Sequence, residues 1–258
     1  MAAPKQWYLG KLKGVYSVRP SSGPHKLREC IPMSVLLHQR LHLAVNTNET
    51  RKIANDKEGN IKVDGKIRRN HRFPLGNMDV VSIEKMNTHY RILYDIKGRF
   101  QPHKISADEA KFKLCKIVAK KTGKFSVPYI VTHDGRTIRF PDPNIQIGDT
   151  IKLNLNTHKV EGVIKFANGS TVMITAGNNI GRIGVMQSVE RHIGSFDIGY
   201  VKDSKGHEFS TRMQNIFVIG DGKSPAISVP KGDGVQLSII EQRDIRLAKE
   251  TVEGEEDE

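Results

Sequence analysis

The side chains of this sequence that are best suited to chemistry are cations, and they are crowded into residues 33–85. Arg51-Lys52 and Arg68-Arg69 are the densest pairs. Ammonium and guanidinium groups at such density bind phosphate oxygens, and each contact adds to the salt dependence of binding. The pattern therefore predicts a surface for a phosphate-bearing polymer, although a solvated polar face would have the same composition. The candidate residues are Arg40, Arg51, Lys52, Lys62, Lys66, Arg68, Arg69 and Arg72.

A second group of polar side chains lies in a glycine-rich stretch, residues 172–185 (VMITAGNNIGRIGV). Glycine permits positive φ and close backbone approach, so Asn178, Asn179 and Arg182 can present donors to a phosphate or a base. The spacing GxxxGxxG matches neither the dinucleotide fingerprint nor a phosphate-binding loop ending in Gly-Lys-Ser/Thr, which excludes nucleotide binding. The alternative is that these glycines serve only turns.

Two further sets of residues invite a catalytic or metal-binding interpretation. His133-Asp134 and Arg191-His192 could suggest catalysis, but the sequence offers no matching nucleophile motif. Cys30 and Cys115 lie far apart, without Cys or His at metal-ligand spacing, which predicts free, buried thiols of a reducing compartment. We therefore expect no catalysis, no metal and no cofactor.

The charge balance is that of a polyanion binder. The 258 residues include 41 Lys and Arg against 28 Asp and Glu, a formal net charge of +13. Residues 1–105 hold 20 of those cations and eight acids, whereas the last six residues hold five acids. An excess of cations concentrated in the first part of the chain favours a nucleic-acid partner over a surface whose charges serve only solubility. The acidic tail is expected to be solvated, disordered and remote from RNA.

The first 30 residues interleave cations with rings. Trp7, Tyr8 and Tyr16 lie among lysines, prolines and glycines, which predicts irregular structure. A flexible terminus is one interpretation, but aromatic rings are atypical of disordered tails. We therefore expect an arm along a phosphate backbone, ordered by its partner. Its cations are Lys5, Lys11, Lys13, Arg19, Lys26 and Arg28.

The elements that position the basic stretch follow from hydrophobic periodicity. It predicts helices over 35–45 and 49–54, with cap chemistry at residues 46–48 (Asn-Thr-Asn), and strands over 61–63 and 78–83. Asp64-Gly65 predicts a hairpin turn, because both positions need positive φ. An anion beside Arg51 and Lys52, placed near the start of the second helix, would also gain from the helix N-terminus.

Downstream the pattern is almost entirely β. It predicts a hairpin over 90–105, a short helix opened by a capping box at Ser106 and ending near 114, and a terminal helix over 241–249. Short strands separated by turns argue for small barrels or a sandwich. These strands are expected at 117–118, 129–131, 137–140, 150–155, 160–166, 171–174, 182–186, 199–201, 216–219 and 235–240.

The same residues resemble a known RNA-binding family. Two helices, KVDGK at 62–66 and a strand beginning DVV at 79 resemble the RNA-binding motif named for ribosomal protein S-four. Across nearly the whole chain, further segments resemble the archaeal and eukaryotic small-subunit ribosomal protein S-four-e family. They are 23–30 (GPHKLREC), 95–100 (DIKGRF), 110–116 (AKFKLCK), 131–134 (VTHD), 137–143 (TIRFPDP), 181–185 (GRIGV) and 215–220 (NIFVIG).

The resemblance implies an α+β, multi-domain fold and a structural role. The domains would be a basic N-terminal arm (1–30), an S-four-type α/β module (31–94), a central small β-barrel domain (95–167), a KOW-containing small β-barrel (168–220) and a C-terminal strand, helix and acidic tail (221–258). The expected partners are small-subunit ribosomal RNA and neighbouring small-subunit ribosomal proteins, without membrane or small-molecule substrate. The expected location is the cytoplasmic ribosome, and the nucleolus during assembly if the source is eukaryotic.

Two alternatives remain open at this point. A KOW-containing transcription or translation factor would bind RNA transiently and wash off ribosomes in moderate salt. An RNA-modifying enzyme would use an S-four-type module for targeting, but it needs a separate catalytic domain with an essential Asp or Cys. Residues 95–220 have the pattern of binding barrels instead.

Overall fold

The structure, a computed structural model, describes residues 1–222, 224–230, 232 and 234–256, with only the backbone at Lys13 and at residues 249–256. Within this part most ordered residues are strand, and 15 strands form three five-stranded antiparallel sheets. None of the described helices is both long and apolar enough to cross a membrane. A mostly β architecture with few helices agrees with the expected α+β class.

The first sheet carries the basic stretch. Its strand order is β3-β2-β5-β6-β7, and β1 pairs separately with β4. The predicted Asp64-Gly65 turn is confirmed, because these residues adopt φ of +51° and +76° between two paired strands. The elements are β1 (Cys30–Pro32), α1 (Met33–Val35), α2 (Thr47–Ala54), β2 (Ile61–Val63), β3 (Lys66–Ile67), β4 (Pro74–Gly76), β5 (Val80–Ile83), β6 (Thr88–Tyr94) and β7 (Phe100–Ile105).

The first predicted helix is shorter than its hydrophobic pattern suggested. The helix continues from α1 as a π-type turn, Leu36–Arg40, and ends before His42, which has φ of +53°. Leu36 and Leu37 are fully buried in the core of the first sheet, so burial rather than an extended helix explains the apolar run. The second helix begins two residues earlier than predicted, at the Asn46 cap.

The second sheet has the order β10-β9-β8-β11-β12. The predicted helix ending near 114 is wrong: only one 3-10 turn forms, Glu109–Lys111, and a strand begins at Phe112. Ser106 nevertheless accepts the Glu109 amide at 3.3 Å, as a capping residue does. The strands are β8 (Phe112–Thr122), β9 (Pro128–Thr132), β10 (Thr137–Arg139), β11 (Thr150–Asn154) and β12 (Val160–Ile164).

The third sheet has the order β16-β15-β14-β13-β17. Strand β16 was not predicted, because its sequence EFSTR lacks apolar residues apart from Phe209. The predicted strand over 235–240 is wrong, because residues 235–238 are irregular and a helix, α3 (Ile239–Glu256), begins at residue 239. The tail, expected to be disordered, is helical to Glu256, and 257–258 lie outside the described residues. The strands are β13 (Thr171–Ile174), β14 (Ile183–Glu190), β15 (Ile198–Lys202), β16 (Glu208–Arg212) and β17 (Ile216–Gly220).

One hydrophobic cluster is shared by all three sheets. Met78 and Leu93 from the first sheet pack with Leu114 from the second and with Met173 and Phe217 from the third. All five side chains are at most 2% exposed. The sheets are therefore held in fixed relation by a common apolar cluster.

The N-terminal arm is packed onto the first sheet by its tryptophan. Trp7 is fully buried in the core of that sheet, and its indole Nε1 donates to the Cys30 carbonyl at 2.7 Å. The rest of the arm is irregular apart from two short 3-10 turns, as expected. The burial makes Trp7 an anchor, so its ring is not available to stack on RNA.

Candidate nucleic-acid interface

The loop 67–73 between β3 and β4 presents the densest group of cations. Its backbone is fixed at both ends: the Arg68 amide donates to the Ile61 carbonyl at 3.1 Å, and the Ser21 amide donates to the Arg72 carbonyl at 2.9 Å. The Ser21 hydroxyl donates to the same carbonyl at 3.2 Å. The arm therefore holds this basic loop in one conformation.

The cations on and around the loop lack acidic partners. Arg51 of α2 and Arg72 of the loop both act on His71: after burial, their positive charges lower the pKa of His71. By contrast, Lys62 is paired with Glu84 at 2.9 Å. Within the described chain, no carboxylate forms an ion pair with any of six residues, which we call the basic cluster. They are Arg51, Lys52, Lys66, Arg68, Arg69 and Arg72.

The expected contribution of the second helix's N-terminus is wrong. Arg51 and Lys52 lie in the last turn of α2, not its first. At the first turn, the Asn46 side chain accepts from the Glu49 amide at 3.0 Å, and the Glu49 carboxylate accepts from the Val45 amide at 2.7 Å. This reciprocal cap satisfies the Glu49 amide and places the Glu49 carboxylate at the start of the helix, where its negative charge disfavours an anion.

The arm cations are mostly free at the surface. Lys26 alone among those described has an acidic neighbour, Glu29 at 3.7 Å, in an exposed pair worth little. The side chain of Lys13 lies outside the described part. The exposed members are Lys5, Lys11, Arg19, Lys26 and Arg28.

Arg40 belongs to a separate surface with a residue that the sequence did not single out. Its guanidinium lies 5.1 Å from the Tyr8 ring centre, and that of Arg99 lies 3.7 Å from the same ring. Burial and the neighbouring Arg99 lower the pKa of Arg40. Arg40, Arg99 and Asp95 line one cavity of about 340 Å³, and the Asp95 carboxylate offsets part of the positive charge of the two arginines. No local pattern could have identified Arg99, which reaches Tyr8 only through the fold.

The glycine-rich loop faces the protein rather than solvent. Arg182 is 9% exposed, pairs with Asp203, stacks 3.8 Å from the Phe209 ring centre and donates to Asn179. The close backbone approach that glycine permits is to the turn after β6: a Cβ at Gly181 would lie 2.0 Å from the Asp95 carbonyl oxygen. Of the three predicted contacts in this loop, Asn178 alone is exposed.

A buried ionic cluster joins the first sheet to the second sheet. The Lys113 ammonium of β8 is fully buried and donates to Asp64 at 2.8 Å and to Asp79 at 2.5 Å. Asp134 accepts from it at 3.2 Å and from Arg136 Nε at 2.7 Å. The neighbouring ammonium and guanidinium groups hold the pKa of Asp134 below its usual range, despite burial that acts the other way. The Asp134 carboxylate is therefore ionised at neutral pH.

The arm also reaches this cluster. His25 Nε2 contacts both Asp79 oxygens, at 2.9 and 3.0 Å, and the Gly76 amide donates to the same carboxylate at 2.8 Å. His25 and then Lys113 lower the pKa of Asp79 against its burial. One carboxylate thus ties arm, first sheet and second sheet together.

Cys115, His133 and Asp134 bring a thiol, an imidazole and a carboxylate within 4.8 Å of one another. Their donor atoms are otherwise engaged: His133 Nδ1 accepts the Lys116 amide at 3.2 Å, and its Nε2 lies 3.2 Å from the Asn77 carbonyl. Burial raises the pKa of the Cys115 thiol, so the thiol is protonated at neutral pH. This group does not fit a metal ion, and Cys30 and Cys115 are free buried thiols, as predicted.

Comparison with known families matches three parts of the chain. A model described as ribosomal family S4e matches residues 86–160. A model of the 40S ribosomal protein S4 C-terminus matches residues 203–250, and the RS4NT domain matches residues 1–28. The three matches follow the chain in order.

Relatives and solved structures agree with these matches. Small ribosomal subunit protein eS4 of Lysiphlebus testaceipes is 55% identical over 95% of this chain and 93% of its own length, and eS4A of Schizosaccharomyces pombe is 53% identical over 96% and 94%. The crystal structure of 30S ribosomal protein S4e from Thermoplasma acidophilum superposes with a TM-score of 0.66 at 29% identity, covering 77% of this chain and 99% of that chain. Because relatives of such identity are matched over nearly their whole length, the chain belongs to the family of small ribosomal subunit protein eS4.

Proposed function

We propose that this protein binds small-subunit ribosomal RNA through the basic cluster around loop 67–73, holding folded RNA as a fixed scaffold. Membership of the eS4 family makes the chain a structural constituent of the small ribosomal subunit and not an enzyme. It also disfavours a transient KOW-containing factor and an RNA-modifying enzyme. Recognition would rest on charge neutralisation and shape more than on base edges.

One observation carries this assignment of the surface. Six cations on and around one loop have no carboxylate partner in the described chain, and the loop backbone is fixed by the arm. Cations held together against their own repulsion are stabilised when phosphates approach, and a fixed backbone limits the entropy lost on binding. We leave Arg182 and Asn179 out of this interface, because their side chains are engaged within the third sheet.

The same proposal extends to the domains of the chain and to its partners in the ribosome. We infer that the arm, the S-four-type module, the central β-barrel, the KOW barrel (168–220) and the C-terminal segment (221–258) act as one RNA-bound body. The boundary expected between residues 94 and 95 moves to the end of β7 at Ile105, because β7 pairs with β6 in the first sheet. Lys5, Lys11, Arg19 and Arg28 would extend the contact along the arm. Neighbouring ribosomal proteins would be further partners, in cytoplasmic ribosomes and, in a eukaryote, in the nucleolus during assembly.

Charge reversal tests the basic cluster. The full-length variant Arg68→Glu/Arg69→Glu should bind small-subunit ribosomal RNA at least tenfold more weakly at low salt, measured by filter binding. Because each lost phosphate contact removes about 0.7–0.9 from the slope of log affinity against log salt, the slope should fall by between one and two units.

Lys97→Glu/Lys104→Glu is the matched control, since it reverses two exposed lysines of the same sheet that are outside the cluster. It should lose less affinity and keep most of the salt slope. Equal losses in the two variants would mean that only net charge matters and would reject the basic cluster as the contact.

A further inference from the structure

Two phenylalanine rings project into solvent at one end of the second sheet. Phe125, in the loop between β8 and β9, is 97% exposed, and Phe140, directly after β10, is 73% exposed. Exposed rings of this size are unfavourable in water and mark interaction surfaces when they occur together. Neither ring contributes to a core cluster of the described residues.

The two loops are neighbours because of the strand order. β8 ends at Thr122, which pairs with Pro128, and the Pro128 carbonyl accepts the Phe140 amide at 3.0 Å. The Lys120 ammonium then donates to the carbonyls of Pro143 and Ile145, at 3.0 and 3.1 Å, which secures the loop after Phe140. The loop that carries Phe140 is therefore preformed, and it lies next to the loop that carries Phe125.

The backbone beneath the rings is strained. Phe125 and Ser126 have φ of +57°, and Phe140 has φ of +50°. Non-glycine residues rarely adopt this left-handed region, and such strain costs free energy and clusters at ligand-binding positions. Packing of these rings inside the protein does not offset the cost of the strain, because both rings are exposed.

The charges around the rings are positive. Lys121, Lys124 and Arg139 are exposed and have no ion-pair partner among the described side chains, and Asp142 is the one carboxylate in residues 120–145 outside the buried Asp134. Cations beside exposed aromatic faces match the phosphates and bases of a single strand. An acidic peptide would match the cations but leave the planar faces without a specific partner.

We propose that Phe125 and Phe140, with Lys121 and Lys124, form a second RNA contact that stacks unpaired bases. This inference rests on the proposed RNA-binding function but concerns a surface on the second sheet, separate from the basic cluster. The basic cluster would neutralise folded RNA, whereas this platform would take nucleotides from a loop or bulge.

The test compares single-stranded and duplex RNA. Full-length protein and its Phe125→Ala/Phe140→Ala variant are titrated with a fluorescent oligouridine of about 12 nucleotides, within the length that stacking platforms accommodate, and with a duplex of equal charge. The variant should bind the single strand about tenfold or more weakly and the duplex within twofold, because stacking contributes only where bases are unpaired. Phe125→Tyr/Phe140→Tyr keeps the rings and should restore single-strand binding.

Ile193→Ser is the control for loss of an exposed apolar side chain, and thermal unfolding of each variant checks that the fold is kept. Unchanged single-strand affinity, or equal loss on both probes, would overturn the platform. Normal RNA binding with failed incorporation into the subunit would also overturn it, in favour of a protein partner. Wild-type protein that does not bind the single strand would overturn the platform. Failure to bind either probe would also count against the proposed function, on which Arg68→Glu/Arg69→Glu reports separately.

Discussion

Gly181 shows how one residue position sets the relation of two sheets. With φ of +82°, it brings the glycine-rich loop against the turn after β6, where a Cβ would lie 2.0 Å from the Asp95 carbonyl oxygen. Gly98, in that same turn, leaves room for Ile180, because a Cβ added at Gly98 would lie 2.5 Å from the Ile180 side chain. The glycines of the third sheet therefore serve packing between sheets as well as turns.

Gly181→Ala separates this close packing from backbone strain. We expect the free energy of unfolding to fall by about 2–4 kcal/mol, since both the left-handed backbone and the clash act against alanine. Gly169 has a similar φ of +86° but open space around it, so Gly169→Ala should cost only about 1–2 kcal/mol. Chemical denaturation measures both, and equal losses would show that the contact with Asp95 does not matter.

His133 should give the protein a measurable acid sensitivity. Burial, followed by the Lys113 ammonium, lowers the pKa of His133 from 6.5 to about 4. Between these values the unfolded chain takes up a proton that the folded chain does not, so stability present above pH 6.5 is lost as the pH falls towards 4.

His133→Gln should therefore reduce the fall in unfolding free energy between about pH 6.5 and pH 4, as measured by urea denaturation. His158→Gln, at an exposed histidine, is the matched control. The same pH dependence in both variants would show that His133 is not the source of the acid sensitivity.

At the scale of elements, polar cross-links reinforce the shared core. The cluster around Lys113 joins β8 to the turns of the first sheet, and the Lys116 ammonium donates to the carbonyls of Gln214 and Ile216 at 2.8 and 2.6 Å, joining β8 to β17. Strand β8 is thus bound to both neighbouring sheets.

Lys113→Met tests the buried cluster. Removing the ammonium leaves Asp64, Asp79 and Asp134 with too little positive charge, and breaking a buried pair in this way costs about 3–5 kcal/mol. Lys152→Met, at a partly exposed lysine 3.7 Å from Glu161, should cost less than about 1 kcal/mol. Thermal unfolding compares the two, and a Lys113 variant as stable as the Lys152 variant would contradict the structural role of the cluster.

Local patterns predicted much of the fold because hairpin turns and apolar alternation are local. The Asp64-Gly65 turn and the β6–β7 hairpin follow from residues within each hairpin. The Lys113 cluster could not be predicted, because its partners lie 21 to 49 residues away in sequence. Arg182 was predicted at the surface for the same reason: its burial depends on Asp203, which only the fold brings near.

Across the whole molecule, the basic cluster lies on the sheet that also receives the arm. Trp7 anchors the arm in the core and Ser21 holds the Arg72 carbonyl, so arm and loop are one unit before RNA binds. The excess of cations over acids in residues 1–105 is concentrated in this unit. The central claim is therefore that the front part of the chain makes the principal RNA contact, with the platform on the second sheet as an additional one.

Ultraviolet crosslinking of intact small ribosomal subunits, followed by mapping of the crosslinked peptides, tests this claim most directly. We predict crosslinks concentrated in residues 1–105, with peptides covering Arg51 and Arg68–Arg72 among the strongest, and a weaker site at residues 121–140. Crosslinks confined to the third sheet and α3, with none around loop 67–73, would contradict the account.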